Sequence, residues 1–328
     1  MEFAKKINGA VFFIDILGFG ALTQGKIQLE EIDFVPWLES YTLNDSSILY
    51  THQFLAASLL STFRSILLEM QSQFRNVQIA QLSDCAFIWS ERIFDITVFA
   101  NNFMTRAIKS GLLCRGGLAY GEIIETDNND NHRLGKFIVG DAVTNAVKLE
   151  GLAKGCRILI NQELPAELSN QCANSHYMRQ MFQPFTNPLD YSVYDEFKWY
   201  LLPNMEISKE IRSFSTLQKV HFTKERLKLA AELRFGEKFS WNASSKEGFV
   251  QIRASIDFLS KYDTDFLKIW HDFAWSANFM ENKKNRSLNT CDYVKNEIER
   301  SENYKEVIQT KEGKKLITEF IDIKKAKK

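Results

Sequence analysis

The stretch AVFFIDILGFGAL, residues 10–22, decides how the rest of the chain is read. Its first five residues, Ala10 to Ile14, form the unbroken apolar run that a buried strand carries. The run ends on Asp15, and a loop with Gly18 and Gly20 follows. A carboxylate at the end of a buried strand is costly to desolvate unless a partner offsets it. The question is what Asp15 holds.

At 328 residues the chain is long for one domain and comfortable for two. The expected division is a main domain over 1–202, with an insertion or lid at about 25–50, and a helical C-terminal region over 203–328 ending in a charged tail. A composition of 45% hydrophobic and 25% charged residues, with 26 Phe, is that of a globular protein able to build a large core. Lys plus Arg equals Asp plus Glu at 41 each, so no global field draws the chain to nucleic acid or to an anionic membrane. Neither is expected as a partner. The cysteines, Cys85, Cys114, Cys156, Cys172 and Cys291, are odd in number and form no CxxC pair, which speaks against a disulfide framework or a zinc site. No apolar segment approaches the roughly 20 residues of a membrane span, and Asp15 interrupts the only N-terminal run resembling a leader. A reducing cytoplasm is the expected location.

Apolar residues recur at helical spacing from Thr51 to Phe74, with Thr51 placed as the cap. Val77–Leu82 and Cys85–Trp89 flank only Ser83 and Asp84, the spacing of a tight hairpin with Asp84 at its tip. Ile93–Lys109 reads as a helix, Cys114–Glu125 as a strand with glycines that admit a close neighbour, and Lys136–Gly140 as a short strand. Asp141–Ala153 reads as a helix capped by Asp141, and Cys156–Asn161 as a further strand. This order predicts an α+β sandwich, a mostly antiparallel sheet with helices packed on one face. There is no GxGxxG after a strand and no P-loop lysine, so dinucleotide and Walker-type sites are not expected. Residues 207–235, 247–262 and 264–280 read as amphipathic helices.

Asp15 and Asp84 face each other if their strands are neighbours. An isolated Asp at a strand end or turn is commonly a cap or turn former. As a pair without a cation, the two carboxylates repel; with divalent metal between them they make a binding site, as where magnesium is shared with substrate phosphates. The glycines of ILGFGA would then let backbone N–H groups approach an anion.

Four motifs in order resemble the class III nucleotide cyclases, the adenylate and guanylate cyclase catalytic domain. FFIDILGFGAL is similar to their first metal motif, QLSDCAFIWS to the hairpin with the second metal aspartate, CRGGLAYGEII to their R-x-G-I strand, and GDAVTNAVKLEGLA to their G-D-x-V-N-x-A-x-R-L-E helix. The match spans residues 8–161, about half the chain. It implies a ferredoxin-like sandwich, two Mg2+ or Mn2+ ions held by Asp15, Asp84 and the main-chain carbonyl of Ile16, and phosphates cradled by the amides of Leu17, Gly18, Phe19 and Gly20. It also implies a head-to-tail homodimer in which each site pairs the metals of one subunit with the helix motif of the other.

The departures matter as much. Thr144 stands where the family has the ribose-orienting asparagine, and Lys148 where it has the transition-state arginine. Lysine can neutralise phosphate charge only as a point charge. Arg115 is a candidate for binding a phosphate, with a strand-edge salt bridge as the alternative. The two purine-reading positions are Ala80 and Phe137, which have no polar edge to offer. This pattern resembles the bacterial pyrimidine cyclases of the Pycsar anti-phage systems, which make cyclic UMP or cyclic CMP and act through a separate cyclic-nucleotide-responsive effector. The resemblance implies UTP or CTP as substrate. An adenylate or guanylate cyclase reading its base with other residues, or a non-catalytic cyclase-like module, would carry the same four motifs.

Overall fold

The computed structural model of the chain describes residues 2–38, 46–128, 137–171, 181–187, 190–201 and 226–260 except 227 and 231, with positions 309 and 311. Two compact units emerge, residues 1–26 with 44–208, and residues 27–43 with 209–328.

The first unit is organised around strand β1, Glu2–Ile16. It is followed by a short helix α1 (Phe19–Thr23), helix α3 (His52–Gln73), the hairpin β2 (Gln78–Leu82) and β3 (Cys85–Ser90), and helix α4 (Ile93–Lys109). Helix α2 (Glu31–Leu38) lies between α1 and α3 in the chain and belongs to the second unit. Then come β4 (Cys114–Asn128), β5 (Phe137–Val139), α5 (Asp141–Leu152), β6 (Ile158–Ile160), α6 (Glu163–Gln171), β7 (Phe182–Thr186) and β8 (Val193–Phe197). The sheet order is β2-β3-β1-β4-β6-β8-β7, with β5 on β4. Every pairing is antiparallel except β4 with β6. The sequence β1-α3-β2-β3-α4-β4 with order β2-β3-β1-β4 is the ferredoxin-like arrangement. The α+β sandwich expected from the element order is therefore the fold.

Helices cover both faces of this sheet, not one. Phe12 of β1 meets Phe103 of α4 edge-on at 6.4 Å, and Phe63 of α3 meets the same ring at 5.5 Å. On the other face Val11 and Phe13 join a core with Ala142, Ala146 and Leu149 of α5. A central strand buried on both faces has no polar alternation left. That is why residues 10–14 read as a continuous apolar run. Two glycines admit α5 on its face: a Cβ at Gly117 would sit 1.9 Å from the Ala146 carbonyl oxygen, and one at Gly121 would sit 3.3 Å from the Ala142 nitrogen.

Local signals held at most termini. The Thr51 hydroxyl accepts from the Phe54 N–H at 3.1 Å, capping α3. Ser83, at φ 57, takes the left-handed conformation that a two-residue hairpin turn requires. The start of α5 differs: its cap is Gly140, at φ 135 and with its Cβ position 2.4 Å from the Glu122 carbonyl oxygen, while Asp141 is the first helical residue. There its charge complements the helix N-terminus. β1 and β4 also run longer than expected, because fifteen paired residues extend both strands beyond their own apolar cores. In β8, buried Glu196 is partnered by Arg157 and Gln183, and Arg157 lies 4.7 Å from the Phe185 ring.

In the second unit, Asp33 caps the entry to α2 by accepting from the Glu30 N–H at 2.8 Å. The ammonium of Lys238 stands 4.8 Å from the Trp37 ring, a cation–π contact. Helix α7 (Lys246–Ser260) buries Ile252, Ile256 and Leu259. Part of the stretch read as an insertion, residues 27–43, thus belongs to the unit that contains the C-terminal residues. The helix expected over 264–280 lies outside the described residues. Among the described residues no helix is long and apolar enough to cross a membrane.

Candidate active site

Asp15 is the penultimate residue of β1, with Cys85 of β3 and Arg115 of β4 as its cross-strand neighbours. One residue on, the Ile16 N–H donates to the Asp84 carbonyl at 3.1 Å, tying the strand end to the hairpin tip. The fold therefore brings Asp15 and Asp84 together, as their places in the sequence predicted. The Asp15 carboxyl is pushed up to about 7, chiefly by burial, next by the charges of Glu150 and Asp84; Arg115 and the Ile16 amide pull the other way. A carboxylate pair whose repulsion is only partly offset suits a cation.

Glu150 was not foreseen. Its signal was a charge inside the apolar stripe of α5, one turn after Ala146. Arg115 reaches it with Nε at 2.7 Å and Nη2 at 2.5 Å, while Nη1 donates to the Ala153 carbonyl at 2.7 Å. Both side chains are close to 90% buried, at 13% and 11% exposure. Of the two readings of Arg115, phosphate binding or a salt bridge, the structure shows the salt bridge, and it holds the end of α5 on β4.

Leu17 is also corrected as an anion donor: its N–H is spent on the Leu113 carbonyl at 2.8 Å. Gly18 (φ 85) caps α1, and Phe19 and Gly20 open it, where helix N–H groups lack intrahelical acceptors. A Cβ at Gly20 would meet nothing within 4 Å, so no packing demand explains that glycine. Cys85 donates its thiol to the Leu82 carbonyl at 3.1 Å, and burial with the nearby carboxylates pushes it up to about 11. It is a thiol at neutral pH, without nucleophilic character.

Thr144 and Lys148 are exposed on α5, one turn apart. They lie about 200° around the helix from Ala146 and Glu150, so α5 turns Glu150 towards Asp15 and presents Thr144 and Lys148 to solvent. Ala80 is half-buried on β2 opposite Phe87, whose ring lies 4.7 Å from that of Phe13. Phe137 is 53% exposed on β5. Among the described residues no group of three or more His, Cys, Asp or Glu is arranged to hold a metal. The candidate set is two carboxylates and a main-chain carbonyl, which suits a hard ion that keeps water and substrate oxygens.

No family model matches the chain, and no curated protein matches it. Among solved structures, the guanylyl cyclase Cya2 is similar over 59% of this chain and 92% of its own, at 9% identity and TM-score 0.40. A dimeric guanylyl cyclase domain of the RhoGC fusion protein from the aquatic fungus Blastocladiella emersonii covers 60% of this chain and 97% of its own, at 18% identity and TM-score 0.38. The adenylyl cyclase CyaB from P. aeruginosa covers 60% and 95%, at 16% identity and TM-score 0.37.

Proposed function

We propose that the protein is a nucleotide cyclase that converts UTP or CTP into the 3′,5′-cyclic nucleotide and pyrophosphate. The observation that carries this reading is the adjacency of Asp15 and Asp84 at the end of the central strand, where burial and the neighbouring carboxylates push the Asp15 carboxyl up to about 7. Mg2+ or Mn2+ held by Asp15, Asp84 and the Ile16 carbonyl would lower the pKa of the ribose 3′-hydroxyl and neutralise charge on the triphosphate. In the reaction the 3′-oxygen forms a bond to the α-phosphorus, the bond from that phosphorus to the α,β-bridging oxygen breaks, and pyrophosphate leaves. The N–H groups of Gly18, Phe19 and Gly20 face the phosphates, and the bare Cα of Gly20 gives them room. Lys148 and Thr144, exposed on the far side of α5, serve the site of a second copy: Lys148 neutralises charge at the transferring phosphoryl group and Thr144 orients the ribose. The active form is a homodimer with two shared sites. Ala80 and Phe137 offer no hydrogen bond to a purine edge, which supports a pyrimidine substrate. The product is a second messenger in anti-phage defence, read by a separate effector.

The test is incubation of the purified protein with ATP, GTP, CTP and UTP plus Mn2+, beside Asp15→Ala, with products identified by mass spectrometry. A cyclic pyrimidine monophosphate that disappears in the variant is the expected result. Cyclic AMP or cyclic GMP would keep the chemistry and overturn the substrate. Absence of any cyclic product in infected and uninfected cells alike would remove the enzyme reading.

A further inference from the structure

The face of the sheet that carries Asp15 also holds a cavity of about 380 Å³ that the site above does not use. Cross-strand partners place its floor. Val11, Trp89 and Gln78 form one row across β1, β3 and β2, and Asp15, Cys85 and Leu82 form another, four residues along each strand. An even offset keeps both rows on one face, roughly 13 Å apart, a distance comparable to a nucleoside monophosphate. Half-buried Phe87 and Ala80 lie between them.

The lining is polar around one aromatic floor. Trp89 is 1% exposed, and its indole N–H donates to Glu125 at 3.2 Å, which fixes the ring and occupies its only donor. Lys5 is committed to Glu91 at 2.7 Å, and Arg92 to Asp95 at 3.2 Å. Gln78 and Arg75 are different: among the described residues neither side chain makes a hydrogen bond or ion pair. A carboxamide offers one acceptor and two donors side by side and a guanidinium offers donors only. Together they fit a planar ring with a carbonyl at one position and a donor–acceptor pair next to it. Uracil and cytosine both have this pattern. Their 2-carbonyl accepts from a guanidinium, and their N3 and C4 groups form a donor–acceptor pair whose order is reversed between the two bases, which a carboxamide matches by flipping. Adenine has no acceptor at C2, and guanine places a donor there.

We infer that Gln78 and Arg75 are the specificity-determining residues of this protein, reading the polar edge of a pyrimidine base in the cavity beside Trp89. The inference rests on the nucleotide reading given above and assigns the base recognition that Ala80 and Phe137 leave open.

The experiment is equilibrium binding of non-hydrolysable UTP, CTP, ATP and GTP analogues with Mn2+ to the full chain, its Gln78→Ala and Arg75→Ala variants, and Asp15→Ala. Thermal melts verify that each variant is folded, and Gln78→Glu provides an isosteric second variant. The wild type is expected to prefer pyrimidines. Gln78→Ala should weaken UTP and CTP by about tenfold, the worth of one well-placed hydrogen bond. Arg75→Ala should weaken the same two ligands by about tenfold and ATP by less than twofold. Nucleotide binding by the wild type with unchanged pyrimidine-to-purine ratios in both variants overturns this inference alone. No binding of any nucleotide by the wild type, with Asp15→Ala indistinguishable from it, overturns the nucleotide reading and this inference with it.

Discussion

Burial and the neighbouring carboxylates disfavour the ionised form of Asp15, and Asp15→Asn should therefore make the protein more stable at alkaline pH in the presence of a chelator. An ordinary aspartate has a pKa of 3.8, and in the fold Asp15 is raised to about 7 by burial, Glu150 and Asp84. Below pH 3.8 both folded and unfolded states hold the proton and nothing is lost. Between 3.8 and about 7 the native state keeps a proton that the unfolded state has released, so stability falls as pH rises. Above about 7 the loss is complete. The interval corresponds to about 4 kcal/mol at full value, and to about 2 kcal/mol once partial solvent access screens the charges. Urea and thermal unfolding in EDTA at pH 5 and pH 8 would measure it. Asp15→Asn should gain about 2–4 kcal/mol on the wild type at pH 8, roughly 5–10 °C in Tm for a unit of this size, and gain little at pH 4. Mn2+ should stabilise the wild type at pH 8 and leave the variant unmoved. A difference between the two proteins that does not change with pH would refute the electrostatic account of Asp15.

Gly117→Ala should cost about 2 kcal/mol or more, because its Cβ would lie 1.9 Å from the Ala146 carbonyl and α5 must lift from the sheet; a melt matching wild type would disprove the close approach. Gly20→Ala, with nothing within 4 Å, should be neutral or stabilise by up to about 1 kcal/mol, yet weaken nucleotide affinity. Unchanged affinity there would remove the α1 turn from the phosphate site. Glu196→Ala removes the buried carboxylate that pairs with Arg157 and Gln183 and should cost about 3 kcal/mol in urea titrations. For shared sites, Asp15→Ala and Lys148→Ala chains should each be inactive alone and regain turnover when mixed. No recovery in verified mixed dimers would place Lys148 and Asp15 of one chain in one site.

Much of the placement of the candidate site was legible because its signals are local. A strand that ends on a carboxylate, a hairpin two residues wide and a threonine before an apolar periodic run each occupy a few neighbouring positions. Adjacency of Asp15 and Asp84 followed once β1 and β3 were taken as partners. Local periodicity records that a residue is buried and leaves open what covers it. The run from Ala10 to Ile14 was buried on both faces, but only the packed structure shows α4 on one side and α5 on the other. The same limit applies to charges. Arg115 and Glu150 lie 35 residues apart, and nothing near either one says that the guanidinium is spent on a carboxylate and not open to phosphate. Residues 27–43 join residues beyond 208 for a similar reason: contacts between distant segments are decided by tertiary packing. The sequence by itself determined the elements, the hairpin and the two aspartates, since these depend on backbone preferences and short-range spacing. Tertiary structure alone decided the face that α5 covers, the partner of Arg115 and the cavity beside Gln78, because close approach, desolvation and charge pairing act through space between residues far apart in the chain.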